Sequence, residues 1–245
     1  MHWDYAAILL FLGAVAPLLG YFRVRRLMQI PSATSMERLA LYGSTIAMQW
    51  VLAGVILWRT TAHRLGTKEL GLVVQNASRA ASVAVVLSLL VLANQLFSIR
   101  RLAANPREIK GMIAELALKI FPQNDVERLV FVALVVTVAI CEELIYRGFV
   151  QALFQRVGGS VIAGIIGSAI LFAAAHLYQG RKGLASTFAV GLIFASVRWW
   201  TGSLLPSICA HFAADLVAGL YAPGRLRAAL ATRLREEERA SGDVS

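Results

Sequence analysis

A succession of about seven apolar runs constrains this chain more than any other feature, because segments of that length and composition have few places to fold. Each approaches the roughly 17 to 25 residues that carry an α-helix across a hydrocarbon layer about 30 Å thick. They cover Tyr5–Phe22, Leu39–Trp58, Ala80–Ser98, Leu129–Phe154, Ser160–Leu177, Leu184–Trp200 and Ser203–Tyr221. A helix satisfies its own backbone groups where no water can. With 58% hydrophobic residues and a mean hydropathy of +0.66, the chain is too apolar for one soluble core. The expectation is an all-α, polytopic transmembrane helical bundle of about seven spans, with an eighth admissible, in a cell membrane. The lipid bilayer is its first partner.

The formal charge of +10 lies mostly between these runs, and no basic patch interleaved with aromatics appears, so nucleic acid is not an expected partner. Arg23, Arg25 and Arg26, then Arg100, Arg101, Arg107, Lys110 and Lys119, then Arg181 and Lys182, would face the cytoplasm with the arginine-rich tail. That places the N-terminus outside, although Arg59, Arg64, Lys68 and Arg79 run against the pattern. The first run has Asp4 rather than a basic segment ahead of it and continues past Ala16, which predicts a retained span. Trp3, Tyr21, Trp58, Trp199 and Trp200 stand at run ends, as in an aromatic belt.

Two further segments read as interfacial. Over Glu108–Phe121, Ile109, Met112, Ile113, Leu116 and Ile120 fall at helical spacing, which predicts an amphipathic helix on the membrane surface or else a solvated linker. From Arg225, Leu226, Leu230 and Leu234 recur every four residues before Glu236, Glu237 and Glu238, which predicts a short amphipathic helix fraying into disorder, or a solvated tail. The implied organisation is 1–125 for the first spans and interfacial helix, 126–222 for a compact core, and 223–245 for a basic, partly disordered tail. Small residues in the fifth and sixth runs, among them Gly164, Gly167 and Gly191, suit close helix approach in that core.

Chemistry concentrates in the same core. The stretch Cys141–Arg147 sets Glu142, Glu143 and Arg147 in an apolar run, and ionisable groups in a membrane are functional by default. Residues four apart share a helix face, so Glu143 and Arg147 can pair while Glu142 projects about 100° away and stays free. Glu142 is the candidate general base. His176 follows Phe172 by four residues, and His211 precedes Asp215 by four, so that Asp215 can orient the imidazole. Glu142, His176 and His211 could hold Zn2+ or another divalent metal with an open position for water. Without a metal, Glu142 and His176 would activate water and His211 would support an oxyanion. Cys141 and Cys209 read as small buried hydrophobes.

Taken in order, Glu142-Glu143-x-x-x-Arg147, Phe172-x-x-x-His176 and His211-x-x-x-Asp215 resemble the motifs of the CaaX prenyl protease and bacteriocin-processing family, also called Abi proteins. The stretch Thr201–Pro206 is similar to the start of that family's final span, and the resemblance covers roughly 130–221. It implies an intramembrane endopeptidase cutting a membrane-associated peptide or protein, whether prenylated and CaaX-like, as for the family's eukaryotic relatives, or not. By position, Glu142 is its catalytic glutamate, His176 helps activate water, and His211 and Asp215 support the oxyanion or a metal, with Glu143 and Arg147 as structural support. Many family members have Asn where this chain has Asp215, and an ionised Asp cannot donate to an oxyanion. A proton-coupled transporter and a non-catalytic membrane interaction or bacteriocin-immunity protein are the alternatives.

Overall fold

The structure is a computed structural model that describes residues 2–30, 32–105 and 119–242. Its described residues form α1 (Trp3–Gln29), α2 (Ser35–Ala62), α3 (Ala77–Ala104), α4 (Asp125–Gly158), α5 (Val161–Ala175), α6 (Gly180–Thr201), α7 (Leu205–Leu220) and α8 (Ala222–Gly242). The chain is a polytopic helical bundle, and among the described residues six helical stretches are long and apolar enough to cross a membrane: α1 to α4, Leu177–Thr201, which includes α6, and Leu205–Thr232, which runs from α7 into α8. The expected amphipathic segment Glu108–Phe121 lies almost wholly outside the described residues.

Helix ends follow local chemistry. Thr34 and Glu37 form a reciprocal capping box at the start of α2, with the Glu37 amide donating to Thr34 Oγ1 at 3.2 Å and the Thr34 amide donating to Glu37 Oε2 at 2.7 Å. Asn76, Asn124 and Ser160 cap α3, α4 and α5 by accepting first-turn amides. Gly202, at φ +68°, stops α6 in a backbone conformation that a side chain would resist.

The fifth apolar run does not become a full span. Helix α5 is 15 residues long, about 22 Å at 1.5 Å per residue, and it ends at His176, after which Leu177–Gln179 form a single 3₁₀ turn. Hydropathy continues through Leu177, so apolar pattern alone could not mark this break. The tail from Ala222 is helical as far as Gly242, and Leu226 packs against Ile99 of α3.

Polarity is distributed for a lipid solvent. Leu18, Leu19, Val85, Leu89, Leu90 and Phe97 are exposed on the outer faces of α1 and α3, while Glu143, Arg147 and Glu127 are fully buried. Trp3, Trp58, Trp199 and Trp200 are exposed near helix ends. The main core joins α1, α2, α4 and α5 through Leu12, Ile56, Phe149 and Phe172. A second cluster, Leu87, Phe194 and Ala210, joins α3, α6 and α7.

Three polar links set α2 beside α4. The Arg38 guanidinium donates to both Glu127 oxygens, at 2.8 and 2.9 Å; Trp50 Nε1 donates to Thr137 Oγ1 at 3.2 Å; and Gln49 Nε2 donates to Glu142 Oε1 at 3.0 Å. The Arg38–Glu127 link lies near the start of both helices and the Gln49 and Trp50 links farther along both, which makes α2 and α4 parallel neighbours. Helix α5 lies close against the end of α4, where a Cβ on Gly164 would come within 2.8 Å of the Gln151 carbonyl oxygen.

Candidate active site

The site begins where α4 changes its winding. From Glu143 to Val150 the backbone is π-helical, and every side chain in that stretch is buried. Such insertions recur at functional sites because they re-aim side chains within an otherwise regular helix. Here the stretch starts one residue after Glu142.

Glu143 and Arg147 form an ion pair at 2.9 Å, with both side chains 0% exposed. The guanidinium carbon lies 3.9 Å from the Phe172 ring centroid and 5.4 Å from that of Phe194. A desolvated guanidinium over an aromatic face gains cation–π attraction of about 2 kcal/mol or more. Phe172 therefore has a definite task in the Phe172-x-x-x-His176 motif, which is to cover the buried cation. Arg147 Nε and Nη2 have no hydrogen-bond acceptor among the described residues, consistent with guanidinium faces turned to rings rather than to oxygens.

Glu143 also reaches α7. Its Oε1 accepts from His211 Nδ1 at 2.9 Å, since a carboxylate can only accept. That bond fixes the His211 ring and leaves Nε2 for other partners. Nε2 stands 4.0 Å from Glu142 Oε2 and 3.5 Å from Asp215 Oδ2. Glu143, from another helix, thus holds Nδ1, whereas Asp215, one turn away on α7, lies on the Nε2 side with 39% of its side chain exposed. Helical spacing pointed to Asp215 beside this imidazole, where it lies, while the contact at Nδ1 comes from Glu143 on another helix.

Glu142 is set apart from the Glu143–Arg147 pair. Its side chain is 14% exposed, its Oε1 is held by Gln49, and its Oε2 is buried without a hydrogen-bond partner among the described residues. That oxygen lies 4.0 Å from the His211 Nε2.

His176 sits at the end of α5, where Nδ1 donates to the Phe172 carbonyl at 2.8 Å. This leaves Nε2 with a lone pair in the neutral ring. Its ring packs against Phe172 at 4.8 Å and Tyr178 at 5.9 Å between centroids, and Phe172 meets His211 edge-on at 6.1 Å. Among the described residues no hydrogen bond or ion pair joins His176 to Glu142, His211 or Asp215. The structure therefore brings Glu142, Glu143, Arg147, His211 and Asp215 together, with His176 one aromatic ring away. No group of three His, Cys, Asp or Glu side chains among the described residues is arranged to hold a metal ion.

Sequence reasoning passed over Gln49. A signal was present: Arg38, Tyr42, Gln49, Ala53, Ile56 and Thr60 recur at helical spacing and form the buried stripe of α2. A carboxamide on such a stripe needs a partner inside.

Fold and site together define a multi-pass membrane protein with an acid–imidazole centre inside its bundle. Residues 124–217 match the model of the Rce1-like family, described as type II CAAX prenyl endopeptidase. That is the family the three motifs resemble, and it is a family of proteases; the matched segment holds all three motifs. No match was found among curated proteins or among solved structures.

Proposed function

We propose that this protein is an intramembrane endopeptidase that hydrolyses a peptide bond in a membrane-associated, prenylated CaaX-like substrate. The observation that carries this reading is Glu142 Oε2, a buried and unpartnered carboxylate oxygen 4.0 Å from His211 Nε2. A water between them would meet an acceptor and an imidazole at once.

In the reaction, Glu142 Oε2 takes one proton from water as the water oxygen bonds to the scissile carbonyl carbon. His211, as the imidazolium, donates from Nε2–H to the developing oxyanion while Nδ1–H stays on Glu143. The carbon–nitrogen bond then breaks as Glu142 returns its proton to the leaving nitrogen. His176 serves as a further acceptor through Nε2 at the rim of the site. Asp215 steadies His211 Nε2 before substrate arrives. Each of these steps uses the chain's own side chains.

The test uses the full chain in proteoliposomes with a farnesylated CaaX peptide. Mass spectrometry should find one cut that releases the C-terminal residues, and cleavage should persist in excess chelator. An intact peptide under all conditions would overturn the reading. Activity lost to chelator and restored by Zn2+ would overturn its metal-free form.

A further inference from the structure

The reaction above leaves one polar contact unused. Glu142 Oε1 accepts from Gln49 Nε2 at 3.0 Å, across 93 residues of sequence and from a helix outside the family match. Gln49 is 9% exposed and stands among residues that pack α2 on α4. Leaving a carboxamide there is unfavourable unless it bonds, and an ionised carboxylate requires the NH2 end to face it.

A second observation points the same way. Gln49 Oε1 and Glu142 Oε2 are both buried and both lack a hydrogen-bond partner among the described residues. They flank the Gln49–Glu142 bond, and each is an acceptor. A single water donating one O–H to each would satisfy both.

We infer that Gln49 is a positioning residue for the hydrolytic water and its base, an inference that rests on the proposed peptidase reading. Its NH2 pins Glu142 Oε1 so that Oε2 is the oxygen turned to the water. Its own Oε1 accepts the second O–H. When the first proton passes to Glu142, that second proton stays on the new hydroxyl of the tetrahedral carbon, still bonded to Gln49. The α2–α4 packing thereby contributes to catalysis and not only to assembly.

Three variants separate this from a structural role. Gln49→Leu, similar in volume and without polar atoms, should lower kcat on the farnesylated CaaX peptide about ten- to hundredfold, the loss expected for a hydrogen bond to a charged group. KM and the unfolding temperature in detergent should stay near wild type. Gln49→Glu should regain activity in acid, where a protonated carboxyl can donate to Glu142, and lose it as pH rises and two carboxylates face each other. Isotope-edited infrared spectra should identify the Glu142 carboxylate bands as those missing in Glu142→Gln, and Gln49→Leu should shift them.

Wild-type kcat in Gln49→Leu, or a wild-type pH profile in Gln49→Glu, would overturn the inference while leaving the peptidase reading intact. Unmoved infrared bands would overturn it whether or not any peptide is cleaved. A wild-type chain that cleaves nothing, with bands that do shift, would sink the peptidase reading and leave the Gln49–Glu142 coupling standing.

Discussion

Glu142 and Glu143 are adjacent in sequence and opposite in circumstance. Glu143 gives Oε1 to both Arg147 and His211 Nδ1, each at 2.9 Å, whereas Glu142 gives Oε1 to the neutral Gln49 carboxamide and has Oε2 4.0 Å from His211 Nε2. Removing one member of a buried pair leaves an uncompensated charge, so Glu143→Leu should destabilise the protein by about 3–5 kcal/mol. The double variant Glu143→Leu with Arg147→Met should recover most of that stability, because both charges leave together. It should not recover activity: His211 Nδ1 would have lost its acceptor, and loss of such an orienting partner costs about ten- to hundredfold. Unfolding in detergent and kcat on the CaaX peptide measure the two effects separately. The pairing of Glu143 with Arg147 was legible from their spacing. The bond from Glu143 to His211 was not, since it crosses 68 residues and two helices, and i to i+4 arithmetic sees only one helix at a time.

At the scale of elements, α2 is the support on which α4 presents its glutamates. The Arg38–Glu127 pair ties one end of this contact with side chains 5% and 0% exposed, and Glu127 accepts further bonds from the Gln123 amide and Asn124 Nδ2 at 2.7 Å each. Arg38→Ala should therefore lower stability by about 3–5 kcal/mol through the buried Glu127 carboxylate left behind. A thermal melt that matches wild type would contradict that role. Helix α5 shows what apolar patterning can and cannot disclose. Its small residues announced close packing, and Gly164 against the Gln151 carbonyl is such a contact. Its early end at His176 was invisible, because Ala175, Leu177 and Tyr178 keep the run apolar while the backbone leaves the helix to place the imidazole.

Across the whole molecule, the arrangement is inside-out relative to a soluble enzyme: apolar side chains face lipid, and charges meet in the interior. Long hydrophobic runs made the helical bundle readable from hydropathy alone, and three motifs in order made the site's location readable. The parallel seating of α2 on α4 was not readable, because hydropathy records that a residue is buried and not what buries it. That is why Gln49 escaped notice while sitting on a regular stripe. We propose Glu142 as the base for peptide hydrolysis within this bundle. Its most direct test is turnover of the farnesylated CaaX peptide by Glu142→Gln, which keeps the side chain's shape and removes its basicity. The account predicts loss of at least about a hundredfold in kcat with an unchanged melting temperature; a folded Glu142→Gln protein cleaving at the wild-type rate would contradict it.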